Sequence, residues 1–375
     1  MEISFGLFVL IPLFAASIVR GEGRCKQIEF LPCETDKHLA GHVFKKIDMR
    51  VDDALQNCKH WCYEQKCISY NLAQIKEDKR VCELSNTDHV EHPSDVKSLA
   101  GAEYCAIKNP CVSNPCHSKL TCERDLYSLD SFKCIDKTSC ASLKSTGKNE
   151  NGVYEITPVP GYSVQVYCDQ VTDGGGWTVI QRRLDGSVDF YRGWKDYKQG
   201  FGNKNGEYWL GLDAIHILTN RVPNEIRVDL KDVDGIGAYA AYSAFRVESE
   251  LEKYRLSLGN FQGGGAGDSF YFQNSSYFTT FDSDNDKHTK HNCAVMFKGA
   301  WWYNRCHRVS SVVVLLTNLN GQYLYGIHQL FADGINWYTW KGYNYSAKQA
   351  DMKIRPIGFG SQKDDDHGDD DNQDV

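Results

Sequence analysis

Outside its first twenty residues the chain has no apolar run approaching the roughly 20 residues that cross a bilayer, so membrane insertion of the remainder is not expected. A basic excess is also missing. The formal net charge is −7, and the segment Ser361–Val375, with seven aspartates and one lysine, carries −6 of it, leaving the rest at −1. Nucleic-acid binding, which runs on Lys and Arg against phosphate, is thereby excluded. The linker Asp136–Ser139 holds neither heptads nor Gly-x-y triplets, so no coiled-coil or collagen stalk is expected ahead of the C-terminal region. No G-x-S-x-G elbow accompanies the Gly267-Asp268-Ser269 triplet, and no enzyme is expected. The fifteen cysteines include no paired C-x-x-C spacings, which points away from zinc and toward disulfides.

The features that are present define an exported chain of several domains. At 375 residues it exceeds what one core usually serves. Ile3–Val19 is a short apolar run ending in small residues, and residues 1–21 read as a signal peptide. The cysteines and the glycosylation acceptor triplets at Asn274 and Asn344 fit a secreted, extracellular protein. The like-charge tail, residues 361–375, is expected to stay disordered.

The most informative stretch is Phe281–His307, FDSDNDKHTKHNCAVMFKGAWWYNRCH. Alternate carboxylates at Asp282, Asp284 and Asp286 can converge on a hard cation such as Ca²⁺, although a solvated acidic turn has the same spacing. An EF-hand is excluded: Lys287 stands where its glycine belongs and Cys293 where its glutamate belongs. The AWWY run between Cys293 and Cys306 is too apolar to be left in water.

The D-x-D-N-D loop, the CAVMFKGAWWY run and the Cys306-His307 pair together resemble the fibrinogen-related C-terminal domain. The resemblance runs from Cys140 to Phe359 through GVYEI, VYCDQVTDGGGWTVIQRRLDGSVDFYRGWKDYKQGFG, GEYWLGLDAIH, NLNGQYL and MKIRP. It implies a globular domain over residues 137–360 with bridges Cys140–Cys168 and Cys293–Cys306. It further implies Ca²⁺ held by Asp284 and Asp286, completed by water and two backbone carbonyls, those of His288 and Lys290 or of Thr289 and His291. In lectin-like members a pocket beside this loop holds acetyl groups, and the matching positions are Phe297, Cys306, His307, Phe331 and Ala332. An apolar cup for the methyl and donors for the carbonyl suit such a ligand. Met296, Phe297 and Ala332 replace the polar side chains of the fibrin peptide pocket, which disfavours a clotting role. The chain departs from the family in the ten residues RVSSVVVLLT, 308–317, whose apolar run is expected to extend a strand, bury itself, cover the pocket or form an aggregation-prone edge.

Ahead of this domain, DALQNCKHWCYE (Asp53–Glu64) has helical spacing, CISYNLAQI alternates like a strand, and VQVYCDQ, GGGWTVIQRRL and EYWLGLDAIHIL read as strand-like further on. A helix tied by cysteines to strands resembles the PAN/apple module, here residues 25–108. That resemblance implies Cys58–Cys82, Cys62–Cys67 and a bridge from Cys105 to one of Cys25 and Cys33; in some such modules the second early cysteine is the spare, which points to Cys25–Cys105 with Cys33 left over, for an interchain bridge and a disulfide-linked homodimer or as a reactive thiol. Residues 109–136 resemble a truncated EGF-like module, implying Cys111–Cys122 and Cys116–Cys134. The expected whole is an α+β, multidomain, disulfide-rich mosaic. Its expected function is calcium-dependent, lectin-like recognition of acetylated glycans or glycoproteins in innate immunity. The alternative is a ligand for a cell-surface receptor, of angiopoietin-like or tenascin-like type.

Overall fold

The structure is a computed structural model that describes residues 29–360, apart from 75–76, 114, 118–119, 125–131, 307, 310–311 and 314–316, and gives the backbone alone at 308–309 and 312–313. The expected signal peptide, Cys25, His307 and the acidic tail lie outside the described residues. The chain divides into two units, 1–115 with 123–133 and 116–122 with 134–375.

Among its described residues the first unit is an antiparallel sheet with one α-helix. Its strands are β1 (Glu34–Leu39), β2 (Val43–Arg50), β3 (Ser69–Leu72), β4 (Lys79–Ser85) and β5 (Val96–Ala106), in the order β1-β5-β3-β4-β2. Helix α1 (Ala54–Glu64) buries Ala54, Cys58 and Cys62, spaced four apart along one face. Cys58–Cys82 ties that face to β4. The helix ends in a left-handed turn at Lys66 (φ 54°), where Cys67 N–H donates to Cys62 O at 2.9 Å and Lys66 N–H to Tyr63 O at 3.1 Å. This is a Schellman cap, and Cys62–Cys67 bridges the two positions where an apolar contact usually closes it.

The third bridge corrects the sequence reading. Cys33, not Cys25, is bonded to Cys105, with Cα atoms 4.3 Å apart. Strand register is the cause: β1 pairs with β5 with Glu34 opposite Tyr104, which sets Cys33 opposite Cys105. Among the described residues fourteen cysteines are disulfide-bonded, Cys33 included, so Cys33 is unavailable for an interchain bond. Further along, Cys116 is bonded to Cys134, Cys111 and Cys122 are each in a disulfide, and β6 (Thr121–Arg124) pairs with β7 (Phe132–Ile135).

The second unit is sheet-dominated and larger. It opens with α2 (Cys140–Ser145), whose N-cap Ser139 accepts from Ser142 N–H, and Cys140 is bonded to Cys168. Strands β8 (Gly152–Val159), β9 (Tyr162–Asp169) and β10 (Trp177–Arg183) follow, then α3 (Trp194–Gln199), β11 (Phe201–Gly202), β12 (Tyr208–Trp209), α4 (Leu212–Arg221), β13 (Asn224–Lys231) and β14 (Gly237–Tyr242). In the sheet, β11-β12-β10 continues through the closing strand Gln349–Pro356 to β13, β14 and Phe261–Gly263, and β9 and β8 add on at β10. Alternation along β13 is clean: Ile226, Val228 and Leu230 are buried, while Glu225, Arg227 and Asp229 are only partly so.

EYWLGLDAIHIL is strand only at Tyr208–Trp209, another correction to the sequence reading. Gly211, at φ 109°, would bring a Cβ within 2.8 Å of the Gln199 carbonyl, so glycine is required where the strand stops. Beyond it Leu212, Ile215 and Leu218 recur at threes on the buried face of α4. The core is aromatic: Trp209, Phe278 and Trp302 lie with centroids 5.1 to 6.2 Å apart, and Phe270 stacks on Trp301.

Candidate functional site

The acidic loop is held from both ends by side-chain hydrogen bonds. Asn285 Nδ2 donates to Phe278 O and Asn292 Nδ2 to Thr280 O, each at 2.9 Å, while Asn292 Oδ1 caps the short helix α5 (Cys293–Met296). Asp282 is engaged with other segments. Its Oδ1 accepts from Trp194 N–H at 2.9 Å and from the Thr280 hydroxyl, so it fastens the loop to α3.

Asp286 is the electrostatic centre. Its Oδ1 accepts from His288 N–H at 2.6 Å and its Oδ2 from Cys293 N–H at 2.8 Å, and Asp284 Oδ1 takes Asp286 N–H at 3.3 Å. Burial pushes the Asp286 carboxyl up to about 6; the two backbone donors pull against this, and the neighbouring Asp284 carboxylate adds to it. His288 is not aimed outward, because its Nδ1 receives the N–H groups of Lys290 and His291. Among the described residues no hydrogen bond uses the carbonyls of 288–291, so either expected pair could still ligate. Two crowded carboxylates beside free carbonyls are an oxygen donor set of the kind Ca²⁺ takes, and the loop fits that ion. The close approach of Asp286, Cys293 and Cys306 is no thiolate site, since the cysteines are bonded to each other.

Two of the residues expected in the cup, Phe297 and Ala332, are tied through Asn318. Its Nδ2 donates to Phe297 O at 3.0 Å and Ala332 O at 3.1 Å, and its Oδ1 accepts from the Tyr303 hydroxyl at 2.6 Å. The rest of the NLNG run is pinned from β10: Gln181 Nε2 and Arg183 Nη1 both donate to Leu319 O, and Arg183 also reaches Gly321 O. Phe297, Cys306 and Ala332 are buried, whereas Phe331 is 49% exposed and its ring lies 4.9 Å from that of Tyr343. Asn318 thus ties the backbones of Phe297 and Ala332 to each other, and Phe331, next to Ala332, is left half exposed. Exposed Val295, Met296 and Leu330 belong to the flanking segments.

Sequence reasoning missed three features. In the sequence Asn318 is one residue of the NLNG motif, with nothing to mark a role of its own. Tyr343, which backs Phe331 and whose carbonyl takes Ala332 N–H, was signalled only by the aromatic density of KGYNY. Left-handed backbone at Lys298 (φ 49°), Cys306 (φ 53°) and Ala332 (φ 61°) carries no sequence signal at all, and such conformations persist where their surroundings over-determine them. In the 308–317 run, Arg308–Val309 pairs antiparallel with Val312–Val313, and Thr317–Asn318 pairs with Asn336–Trp337. Ser269 is buried, its hydroxyl engaged with Thr339 Oγ1 at 2.8 Å. Asn344 is exposed; Asn274 is partly buried, with Oδ1 accepting from Leu258 N–H.

A disulfide-rich, sheet-dominated globe with its loops gathered about such a site defines a class. Residues 136–357 match the C-terminal globular domain of fibrinogen beta and gamma chains, and the chain belongs to that family. It is 50% identical to Ryncolin-4 of Cerberus rynchops over 61% of its own length and 64% of the relative's. To Fibrinogen C domain-containing protein 1 of Mus musculus it is 47% identical, over 58% and 47%. The chain thus spans less than two thirds of these curated relatives. Among solved structures, the fibrinogen-like globe domain of human ANGPTL2 superposes with a TM-score of 0.55 at 45% identity, covering 59% of this chain and 99% of that one. Lamprey fibrin D-dimer in complex with the peptide Gly-His-Arg-Pro-amide gives 0.54 at 32%, over 63% and 79%. Among the described residues no helix is long and apolar enough to cross a membrane.

Proposed function

We propose that this is a secreted recognition protein whose C-terminal unit binds acetyl groups on glycans, dependent on Ca²⁺. One observation carries the reading: loop and cup share a framework. Asp286 holds the N–H of Cys293, Cys293 is bonded to Cys306 at the cup, and Lys287 N–H donates to Asn304 O at 2.6 Å beside it. Bound between Asp284 and Asp286, Ca²⁺ supplies the positive charge that relieves their repulsion. The protein's own part is to fix the Cys293–Cys306 segment, so that the Phe331 face and buried Phe297 and Ala332 receive a methyl and the Cys306 amide, with His307, its carbonyl. The first unit, a disulfide-tied sheet and helix, supports a PAN/apple reading, and residues 109–136 a truncated EGF-like spacer. The bonded cysteines support export, and the expected interchain bridge passes from Cys33 to Cys25.

The test is retention on N-acetylglucosamine beads. Retention in Ca²⁺, release by chelator or free acetate, poor competition by the non-acetylated sugar and loss in Phe331→Ala are expected. The exposed Val295, Met296, Leu330 and Phe331 also suit a protein surface. If the protein ignores acetylated ligands at high density, the receptor-ligand reading replaces this one.

A further inference from the structure

The geometry points to a second metal site, in the first unit, where His42, His92 and Asp95 form a three-ligand seat for a transition-metal dication of the Zn²⁺ or Cu²⁺ class. His42 Nε2 lies 2.8 Å and His92 Nδ1 3.8 Å from the same oxygen, Asp95 Oδ2, and the three donor atoms all lie within 4.8 Å of one another. Tetrahedral zinc with ligands at about 2.0–2.1 Å places its donors roughly 3.4 Å apart, so small side-chain rotations bring these three to one ion.

The backbone holds the seat in place before any ion arrives. His42 sits at the turn between β1 and β2, and Leu39 at the end of β1 pairs with Val96 at the start of β5. Ala40 N–H donates to Asp95 O at 3.0 Å, which locks that turn against the single 3₁₀ turn Pro93–Asp95. His92 caps this turn: its carbonyl receives Asp95 N–H at 3.1 Å, and its own N–H goes to Asp88 O at 3.0 Å. Distant segments thus deliver their imidazoles to one carboxylate along three separate backbone bonds. A seat built on sheet ends and a closed turn needs little rearrangement to bind.

Ligand chemistry selects the ion. The two imidazole rings lie 4.2 Å apart and only 31° from parallel. A dication is held by imidazoles in their neutral form and takes the place of the hydrogen bond between His42 Nε2 and Asp95 Oδ2. Two nitrogens and one oxygen favour Zn²⁺ or Cu²⁺ over Ca²⁺ and Mg²⁺. The nearby cation Lys97 is occupied, its ammonium donating to Ser94 O at 2.6 Å. The donor side chains are 24 to 44% exposed, which admits the ion from solvent and leaves a fourth position to water.

The test uses the full chain in Ca²⁺-saturated buffer, titrated calorimetrically with ZnCl₂, with Co²⁺ as a spectroscopic substitute. The double variant His42→Ala, His92→Ala is expected to lose one equivalent of Zn²⁺ and the visible Co²⁺ band of a low-coordinate site. Asp95→Asn keeps an acceptor for His42 and leaves the backbone bonds that hold the turn, yet should weaken that equivalent by about tenfold or more. Wild-type protein that takes up no Zn²⁺, or variants whose stoichiometry and affinity match wild type, overturns the proposal. Because the aspartate tail and the His288–His291 loop stay intact in every variant, zinc held there cannot imitate the expected loss.

Discussion

The two units solve the problem of stability by different means. The first has a small core, and five of its most buried members are the cysteines 58, 62, 67, 82 and 105. Its one tryptophan, Trp61, is 39% exposed and contributes little to the interior. The second buries Trp177, Trp209, Trp301, Trp302 and Trp337 with a large aliphatic complement. Burial scales with domain size, so a small sheet-and-helix unit relies on covalent constraint where a large one relies on packed rings. Even the polar ends of the rings are satisfied in the large core: Trp302 Nε1 donates to Tyr254 O at 2.8 Å and Trp301 Nε1 to Gln273 Oε1 at 2.9 Å.

Cutting each support in turn tests this contrast most severely. Trp302→Ala empties the centre of the large core and should cost about 3–5 kcal/mol there. Cys58→Ala with Cys82→Ala should cost the small unit about 2–5 kcal/mol, enough to unfold it at body temperature. Calorimetry of each variant, with hydrogen exchange to assign the transitions, reads the outcome. The contrast fails if loss of the disulfide spares the first unit, or if loss of the ring disturbs both units equally.

Calcium sharpens the comparison, because only the second unit carries the acid pair. An ion that binds the folded state alone adds RT ln(1 + [L]/Kd), roughly 2.7 kcal/mol at a hundredfold excess over Kd. Millimolar Ca²⁺ should therefore raise the melting temperature of the second unit and leave the first unchanged. Asp284→Ala with Asp286→Ala should abolish the rise. A rise that persists in the double variant places the ion elsewhere, with the tail at 361–375 the first suspect.

How much of this was legible in the sequence depends on whether a feature is local. The D-x-D-N-D spacing, the burial of AWWY and the four-residue step from Cys58 to Cys62 are local, and each can be read from residue type and period alone. The partner of Cys105 was not, because the register of β1 on β5 decides it across some seventy residues. LDAIHILTNR misleads for another reason. Its isoleucines and leucines suit strand or helix equally, and the deciding residue is Gly211, whose backbone is fixed by contact with Gln199. At the site, the candidate ligands could be named from the motif, but the role of Asn318 as the tie between Phe297 and Ala332 exists only after residues 297, 318 and 332 have been folded together.

The smallest effect separates two kinds of backbone strain. Lys66 and Ala332 both hold left-handed φ, at 54° and 61°. A non-glycine residue there costs about 1–2 kcal/mol, which glycine avoids at some cost in unfolded-state entropy. Lys66 is exposed and closes a Schellman cap, so Lys66→Gly should stabilise the first unit by roughly 1 kcal/mol. Ala332 is fully buried, so Ala332→Gly gives back the strain but loses a packed methyl worth about 0.8 kcal/mol, and the melting temperature of the second unit should barely move. Its consequence should instead appear in binding. In the proposed function Ala332 lines the cup beside Phe297, and a freed backbone there would no longer hold the neighbouring Phe331 at one angle to a ligand. Retention on acetylated beads should weaken while the melt stays put, and Lys66→Gly should do the reverse. Equal retention by wild type and Ala332→Gly would mean that the strain at 332 belongs to the fold alone, as it does at 66.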